Sequence, residues 1–338
     1  MEVVVVGGGA AGLSAAVTLA RARRSVLVID AGSPRNAPAA QVHGYLGHDG
    51  VDPATLLARG RAEAIGYGVR IVPGAAIAAD PLPGGGFLVR RDDGSTVRAA
   101  RLLVATGLRD ELPGVPGLAA RWGRDVLHCP HCHGWEVRDL PLAVLATGPR
   151  ALHQAHLWRQ WSAHVTLLAH TWRVPDGERA ALAARGIGVA EGEVRGLTLT
   201  EDDRLAGVTL AGGGVVACSA LVVAPRFTAR SGVLSGLGLT AVRQVHEGHD
   251  LGTRVEAGPG GATALAGVWV AGNVTSPTDN VIAAAAQGVR AAIEINADLL
   301  EAEIRAAVAE AATAAGAGGV AGAVGAAGPA EAAGVDDA

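Results

Sequence analysis

The first thirty residues carry the pattern that most restricts the fold. A β-branched run, Val3 to Val6, leads into the glycine turn 7–12, and a helical pattern follows from Leu13 to Arg23. A second apolar run, Ser25 to Ile29, completes a βαβ unit. This order of strand, turn, helix and strand predicts a parallel sheet covered by helices, which is typical of the α/β class.

The glycines of this turn have the spacing of a dinucleotide-binding loop. Gly7 allows the tight turn, Gly9 lets the backbone approach a pyrophosphate, and Gly12 lets helix and strand pack closely. The helix N-terminus then faces the phosphates. Asp30 ends the second strand, where an acid accepts hydrogen bonds from ribose hydroxyls. Because strand, helix and acid all occur in their expected places, the segment predicts a Rossmann-like dinucleotide site.

Two of the three cysteines stand in the segment 129–136, Cys-Pro-His-Cys-His-Gly-Trp-Glu. If a helix begins here, Cys129 is its N-cap and Pro130 its first residue, and Cys129 and Cys132 lie on one turn. Their Cα atoms are then about 5 Å apart, within the range that a disulfide accepts. A helix N-terminus also lowers the pKa of a thiol. The spacing therefore predicts a reversible dithiol/disulfide pair.

Three other interpretations of this pair compete. C-x-x-C-H is also the attachment signature of c-type haem, but that attachment normally follows export, and the chain opens without a basic segment. Zinc could use the cysteines and flanking histidines, but no second C-x-x-C pair exists, so no metal is expected. Two chance core cysteines are disfavoured by the neighbouring proline and histidines. Cys218, inside an apolar run, suits such a core role.

Composition restricts the partners and the compartment. The net charge of -4 and the pI near 6.3 provide no basic field for nucleic acid or an anionic membrane. No apolar stretch reaches the roughly 18 to 20 residues of a spanning helix, so we expect a soluble protein. Three cysteines and no signal peptide predict a reducing cytoplasm. The chain has no lysine, which excludes Schiff-base chemistry and a phosphate-loop lysine.

Later segments extend the nucleotide-binding pattern. Residues 102–107, Leu-Leu-Val-Ala-Thr-Gly, and 268–273, Val-Trp-Val-Ala-Gly-Asn, each indicate a buried strand that runs into a turn of small residues. Between them, residues 140–151 are typical of a second strand, turn and helix, with Ala146 in the first glycine position and the next strand at 165–168. The sequence therefore predicts one nucleotide-binding domain interrupted by another.

This pattern sets the expected domain boundaries. The fold class is α/β with two Rossmann-like (three-layer ββα) nucleotide-binding domains, the first split by the second. We expect the split domain at 1–115 and 229–300 and the inserted domain, with the cysteine pair, at 116–228. A helical pattern runs from Asn280 to Leu300. Residues 301–338 begin as an Ala-rich helix and end in some twenty residues that we expect to be flexible.

The glycine turn, Ala105-Thr106-Gly107, the cysteine pair and Ala271-Gly272-Asn273 together resemble the low-molecular-weight thioredoxin reductases, over about residues 1–300. In that family an FAD domain is split by a pyridine-nucleotide domain that carries C-x-x-C. The resemblance implies FAD as the cofactor and a homodimer, with Asp30 on the ribose and Asn280 near the isoalloxazine. The expected cofactor contacts are Gly7, Gly9, Ala10, Ala11, Gly12, Asp30, Ala31, Arg35, Asn36, Ala105, Thr106, Gly107, Gly272, Asn273, Asn280 and Val281.

The chain departs from the reductases at three places. His133 follows the second cysteine where the reductases carry an Asp, and the second nucleotide loop reads Ala146-x-Gly148-x-x-Ala151 with Pro149 inside it. The run that binds the NADPH 2′-phosphate is reduced to one arginine, Arg173. Because a 2′-phosphate is normally held by bidentate arginines, these changes disfavour NADPH and leave NADH open.

Cys-Pro-His-Cys-His-Gly-Trp-Glu with a weakened nicotinamide domain is similar to the dithiol oxidases that close disulfides in gliotoxin, holomycin and romidepsin. That resemblance implies electron flow from a small-molecule dithiol through the cysteine pair and FAD to O₂, giving H₂O₂. A substrate thiolate would attack Cys129, while Cys132 would lie nearer the flavin. His133 or His131 would be the base, and we favour His133. His128 is expected to be structural.

Two further functions compete with this one. The same fold could serve an NAD(P)H-dependent disulfide reductase for a thioredoxin-like protein. A non-catalytic flavin-binding redox sensor is the third hypothesis, although the complete cysteine pair with its histidines argues against it. Turnover with dithiol and oxygen separates the sensor from both enzymes.

Overall fold

The structure is a computed structural model that describes residues 1–246 and 248–321. The chain divides into two compact units, Met1–Ile295 and a unit that begins at Asn296. The final part of the tail, for which the sequence predicts flexibility, lies outside the described residues. Among the described helices, none combines the length and apolar character that crossing a membrane requires.

The described ranges contain six α-helices. They are α1 Ala10–Arg21, α2 Pro53–Gly66, α3 Pro130–His133, α4 Arg150–Trp158, α5 Asp176–Ala184 and α6 Val281–Ala321. Four short 3₁₀ helices lie at Ala119–Arg121, Gly232–Leu237, Pro259–Gly261 and Gly272–Val274. The start of α1 was predicted three residues too late, because the helix begins directly after its N-cap, Gly9.

Twenty strands lie in the same ranges. They are β1 Val3–Val6, β2 Val26–Asp30, β3 Arg70–Pro73, β4 Ala76–Pro81, β5 Phe87–Arg91, β6 Thr96–Ala99, β7 Arg101–Val104, β8 Leu108–Glu111, β9 Val126–Leu127, β10 Leu142–Leu145, β11 Val165–Leu168, β12 Gly188–Ala190, β13 Val194–Leu199, β14 Leu205–Leu210, β15 Val215–Ala217, β16 Ala220–Val222, β17 Arg226–Ala229, β18 Ala241–His246, β19 His249–Val255 and β20 Val268–Val270.

One five-stranded parallel sheet contains the glycine turn. Its order is β20-β7-β1-β2-β3, so the chain leaves this sheet after Val104 and returns to it at Val268. All four residues of β1 are buried, as expected for a central parallel strand covered on both faces. The turn after β1 therefore lies at the carboxyl edge of the sheet, where open α/β sheets bind their ligands.

A second parallel sheet lies within residues 126–222. Its order is β12-β11-β10-β16-β9, and α4 packs against it through the fully buried Trp158. The predicted second strand, turn and helix thus form β10 and α4, and the predicted strand 165–168 is β11. Three smaller sheets, β4-β5-β6, β13-β14-β15 and β18-β19-β17-β8, complete the described strands. The predicted α/β class with Rossmann-like sheets is confirmed.

Candidate active site

The glycine turn is crowded by backbone at two of its three predicted positions. Gly7 has φ +107°, and a Cβ there would lie 2.4 Å from the carbonyl oxygen of Ala105. A Cβ on Gly12 would lie 1.9 Å from the carbonyl oxygen of Gly7. A Cβ on Gly9 would meet no atom within 4 Å. Gly7 and Gly12 therefore permit the close packing of strand and helix, whereas Gly9 leaves open space in front of the helix.

Asp30 is held at the edge of this space by three donors. Its Oδ1 accepts hydrogen bonds from the backbone N–H of Gly8 at 3.1 Å and of Gly32 at 3.2 Å. Its Oδ2 accepts one from Arg61 Nη2 at 2.6 Å. Burial raises the pKa of the Asp30 carboxyl, but the hydrogen bonds from Arg61, Gly32 and Gly8 outweigh it, and the pKa is lowered. Asp30 is therefore an ionised acceptor beside the glycine turn.

A cavity of about 630 Å³ opens in front of the turn. It lies within the range of roughly 300 to 1,000 Å³ that is typical of ligand sites. The predicted cofactor residues that line it are Gly7, Gly9, Ala10, Ala11, Asp30, Ala31, Arg35, Asn36, Ala105, Thr106, Gly107, Gly272, Asn273, Asn280 and Val281. Gly12 does not line the cavity but packs α1 against β1. The open space at Gly9 and the ionised Asp30 fit a dinucleotide such as FAD.

Arg35 brings a fixed positive charge to this cavity. Asp110 on β8 accepts two hydrogen bonds from it, Nε to Oδ2 at 2.9 Å and Nη2 to Oδ1 at 2.7 Å. Nη1 donates to Asn273 Oδ1 at 3.2 Å and to the carbonyl oxygen of Pro277 at 2.9 Å. The guanidinium also lies over the ring of Phe227, 5.0 Å from its centre. This bidentate arrangement leaves Arg35 little rotational freedom.

The turn before α6 is built from interlocking polar contacts. The backbone N–H of Gly272 donates to Gln287 Oε1 at 2.8 Å, and Asn273 Nδ2 donates to the carbonyl oxygens of Ser276 and Asp279. Asn280 Oδ1 accepts a hydrogen bond from the backbone N–H of Ala283 at 3.1 Å, in the first turn of α6. These contacts hold the turn rigidly against the cavity.

The cysteine pair enters the same cavity from α3. Cys129 is the N-cap, Pro130 is the first helical residue, and the Sγ atoms of Cys129 and Cys132 are 3.0 Å apart. Both cysteines are free thiols and line the cavity. The helical turn thus places the two sulfurs side by side, and the tertiary structure places them in the cavity of the glycine turn.

The two thiols differ in acidity. A hydrogen bond from Cys132 Sγ, helped by backbone N–H groups at the start of α3, lowers the pKa of Cys129 to about 6 against the effect of burial. The same contact, burial and the charge on Cys129 raise the pKa of Cys132. Burial raises the pKa of Cys218 to about 12, and that residue lies in the core. The reduced pair therefore carries its thiolate on Cys129, the more reactive state of a thiol.

The histidines of the segment occupy different surroundings. His133 lines the cavity; burial lowers its pKa, and of its charged neighbours Glu136 raises the pKa and His43 lowers it. His131 is exposed, lies edge-on to Trp161 at 5.4 Å, and does not line the cavity. His128 lines it, but its Nδ1 contacts the carbonyl oxygen of Val223 at 3.1 Å, and burial lowers its pKa to about 4. Of the two candidate bases, the structure brings only His133 into the cavity.

Several polar cavity residues were missed by the sequence analysis. The charged or titratable residues in the loops and on α2 and β8 include His43, Arg61, Asp110 and Arg230. None belongs to a recognisable motif, and Asp110 contacts Arg35 across 75 residues of chain. The signal that could have found Arg61 is its place on α2, which follows the strand that ends in Asp30. The remaining contacts depend on how the loops fold.

The second nucleotide loop lines a smaller cavity of about 320 Å³, together with residues of β17 and β19. Ala146, the first residue of this loop, is buried and does not line the cavity, and Pro149 is the N-cap of α4. Arg226 in this cavity already faces Glu111 at 3.2 Å and Asp250 at 3.7 Å. Arg173, the one arginine left of the run that binds a 2′-phosphate in the reductases, is exposed and does not line this cavity.

Comparison with known proteins extends over most of the chain. Residues 1–290 match the model of the pyridine nucleotide-disulphide oxidoreductases. Thioredoxin reductase sirT from Leptosphaeria maculans is 29% identical over 325 residues, 90% of this chain and 96% of that protein. A probable thioredoxin reductase from Arthroderma benhamiae is 37% identical over 150 residues, 43% of this chain and 37% of that protein. The chain therefore spans little more than a third of the second relative.

Among solved structures, the crystal structure of HlmI superposes with a TM-score of 0.86 at 44% identity. The match covers 93% of this chain and 97% of that one. Sequence and structure comparisons thus agree over both parallel sheets.

Proposed function

The chain belongs to the pyridine nucleotide-disulphide oxidoreductase family, and from this premise we propose that it is a dithiol oxidase that closes a disulfide in a small molecule and reduces O₂ to H₂O₂. The predicted resemblance to the thioredoxin reductases is confirmed, and the protein is a thioredoxin-reductase-like, FAD-dependent disulfide oxidoreductase. The direction of electron flow and the substrate belong to the proposal.

One observation supports the proposed dithiol oxidase activity. The cysteine pair opens into the same cavity of about 630 Å³ as the glycine turn, so thiol chemistry and a bound flavin share one space. When bound, FAD accepts an electron pair from the reduced cysteines and passes it to O₂. Gly9 would leave room for its pyrophosphate, Asp30 would accept a hydrogen bond from its ribose, and Arg35 would supply a fixed positive charge.

The thiol exchange uses this chain's own residues. In the oxidised protein, His133 takes the proton of a substrate thiol, and the thiolate bonds to Cys129 Sγ while the Cys129–Cys132 bond breaks and Cys132 leaves as a thiolate. The proton on His133 passes to the Cys132 thiolate, and His133 then takes the proton of the second substrate thiol. That second thiolate attacks the substrate sulfur and expels Cys129, whose Sγ accepts a hydrogen bond from the Cys132 thiol. The low pKa of Cys129, about 6, makes it a good leaving group in that step.

The reaction balances as R(SH)₂ + O₂ → R(S–S) + H₂O₂. Two electrons and two protons leave the substrate. The electrons reach the peroxide through the protein, and the protons reach it through the protein and the solvent. The overall reaction requires no nicotinamide cofactor. The second loop supports that view, because Pro149 and Ala146 replace loop residues of the reductases and Arg226 already faces two carboxylates.

The reductase is the second candidate. The names of the relatives favour it, since sirT is called a thioredoxin reductase. The cavity of about 320 Å³ beside the second loop is the space that a nicotinamide cofactor would enter. In that case electrons would flow from NADH or NADPH to a disulfide.

The remaining expectations form part of the same proposal. The parallel sheet with the glycine turn would be the FAD domain, 1–115 with 229–300, and the sheet within 116–228 the altered nicotinamide domain. We also propose a homodimer in the cytoplasm. Size-exclusion chromatography with light scattering tests the dimer directly.

Anaerobic reduction of the flavin-loaded protein tests the function. We expect dithiothreitol alone to bleach the flavin absorbance, and air to restore it with about one peroxide per dithiol oxidised. NADH and NADPH should leave the flavin oxidised over the same time. Rapid bleaching by either nucleotide, with none by the dithiol, would overturn the proposal and favour the reductase.

A further inference from the structure

The short helix α3 has two sides. Cys129, Cys132 and His133 line the cavity, whereas His131 and Gly134 do not. Gly134 continues the helical conformation, with φ −68° and ψ −32°, so these last two residues lie three positions apart on one side of the turn. Because Gly134 is buried, this second side of α3 packs against protein.

Trp161, in the turn after α4, forms the surface behind α3. The ring of His131 meets the indole edge-on, with 5.4 Å between the ring centres. A Cβ on Gly134 would lie 2.8 Å from Cδ1 and from Nε1 of the indole, so the backbone of α3 lies directly against the ring. The backbone N–H of Asp139 donates to the carbonyl oxygen of Trp161 at 2.9 Å. Trp161 therefore contacts the segment 129–139 at three places.

Trp161 is itself anchored in the protein core. Its ring centre lies 6.2 Å from that of Trp158, which is fully buried in the core that α4 forms with the second parallel sheet. The indole N–H of Trp158 donates to Gln154 Oε1 at 3.1 Å, so this polar group has a partner inside the core. The backbone N–H of Trp161 donates to the carbonyl oxygen of Trp158 at 3.0 Å. The surface behind α3 is therefore continuous with the core.

A fixed support for α3 affects how easily the two sulfurs bond. The Sγ atoms of Cys129 and Cys132 are 3.0 Å apart in the dithiol. A disulfide bond is about 2.05 Å long, so the pair closes by a shift of about 1 Å when α3 keeps its place. Such preorganised groups lose little conformational entropy when they react. A mobile α3 would give the dithiol freedom that the disulfide does not have, and reduction would become easier.

We propose that Trp161 is a positioning residue that holds Cys129 and Cys132 at the distance needed for disulfide formation, through its contacts with His131 and Gly134. The inference rests on the cysteine pair as the redox centre and not on the direction of electron flow, so it applies to an oxidase and to a reductase. It also gives His131 a role in packing instead of proton transfer.

The reduction potential of the cysteine pair provides the test. Flavin-loaded protein is equilibrated with glutathione and glutathione disulfide under nitrogen, and acid-quenched alkylation with mass spectrometry measures the fraction of free thiol. Two glutathione thiols become one glutathione disulfide as the protein disulfide is reduced, so two electrons and two protons pass to the pair. Trp161→Ala should lower the equilibrium constant for disulfide formation about ten-fold, which raises the potential by about 30 mV. Trp161→Phe keeps an aromatic ring behind α3 and should recover most of the original value.

Matched variants separate this role from a general loss of stability. Trp172→Ala is the control, because Trp172 packs against the same core but follows β11 instead of supporting α3. It should lower the melting temperature and leave the potential unchanged. His131→Ala removes the edge-on contact at an exposed residue and should lower the equilibrium constant about three-fold, whereas His131→Phe should preserve it. The two His131 variants decide the question if Trp161→Ala does not fold.

An unchanged potential in folded Trp161→Ala or in His131→Ala would overturn the inference. An equal shift in Trp172→Ala, or no recovery in Trp161→Phe, would overturn it as well. The proposed function fails separately, if dithiothreitol does not bleach the flavin of the original protein. The glutathione equilibrium would then still measure the role of Trp161.

Discussion

The two nucleotide loops have the same order of strand, turn and helix but different surroundings. At the first loop, backbone atoms lie 2.4 Å and 1.9 Å from where Cβ atoms of Gly7 and Gly12 would be. At the second loop, Ala146 and Ala151 stand at the positions equivalent to Gly7 and Gly12, and a Cβ on Gly148, like one on its equivalent Gly9, would meet no atom within 4 Å. The first loop therefore requires glycine at positions 7 and 12, where the second loop carries alanines.

The difference lies in what each loop faces. The first loop faces a cavity of about 630 Å³ that also holds the cysteine pair, an ionised Asp30 and the fixed Arg35. The second faces about 320 Å³ and an arginine that is already paired with carboxylates. The loop that keeps the glycine spacing thus lies at the larger cavity, with charged groups available to a ligand. The loop with the altered spacing lies at the smaller cavity, where the arginine is already paired with carboxylates of the protein.

The largest expected effect contrasts a crowded glycine of the first loop with an open glycine of the second. Gly12→Ala places a methyl group 1.9 Å from a backbone oxygen that cannot move away, so it should abolish flavin retention and lower the free energy of unfolding by about 3 kcal/mol or more. Gly148→Ala should change that free energy by less than about 0.5 kcal/mol. The ratio of flavin to protein absorbance measures flavin retention in the two variants, and thermal unfolding measures the change in their stability. Full flavin retention in Gly12→Ala would contradict the crowding of the first loop.

A second substitution separates chemistry from cofactor retention in the first cavity. Cys129→Ser should lower dithiol turnover by about a thousand-fold or more, because the sulfur that is attacked is gone. The flavin content should remain that of the unaltered protein. Cys218→Ala, in the core, is the matched control and should retain turnover. Appreciable dithiol oxidation by Cys129→Ser would show that the cysteine pair is not the route of the electrons.

The acidity of Cys129 provides a pH-dependent test. Its pKa is lowered to about 6, so the thiolate is present above that pH, and the rate of alkylation by iodoacetamide should rise through a midpoint near 6. In Cys132→Ala the donor is lost and the midpoint should move to higher pH, so that the rate at pH 6 falls about ten-fold. Mass spectrometry of the labelled peptide identifies the site. An unchanged midpoint would show that Cys132 does not stabilise the thiolate.

The smallest effects again contrast the two cavities. Asp30→Asn should raise the Kd for FAD about ten-fold, because a charged acceptor with two backbone donors becomes a neutral amide. Arg226→Ala should leave dithiol turnover within about two-fold, since its pairs are half-exposed. Flavin fluorescence titration measures the Kd of Asp30→Asn for FAD, and oxygen uptake measures the dithiol turnover of Arg226→Ala. A ten-fold loss of turnover in Arg226→Ala would show that the second cavity takes part in the reaction.

Local pattern predicted the elements well. β1 and β11 were predicted from periodicity with the bounds that the structure shows, β2 was predicted one residue too early, and the helix after the glycine turn was predicted with errors of two to three residues at its ends. The placement of Cys129 as an N-cap before Pro130 also followed from the sequence, because proline is favoured at the first helical position. Each of these features depends on neighbours within about four residues.

Long-range contacts were not predictable in this way. His43 approaches Glu136 across 93 residues, and Arg35 contacts Asn273 across 238. The choice between His131 and His133 was also open in the sequence, because both belong to one short helix. Only the packing of His131 on Trp161 and of His133 in the cavity distinguishes them.

The sequence by itself determined the α/β class, the glycine turn and the side-by-side cysteines, since backbone sterics and helical periodicity act over a few residues. The tertiary structure alone decided that both motifs share one cavity, which thiol is acidic and which histidine faces it. These properties depend on burial and on charges brought together by loops, and neither is encoded in local spacing.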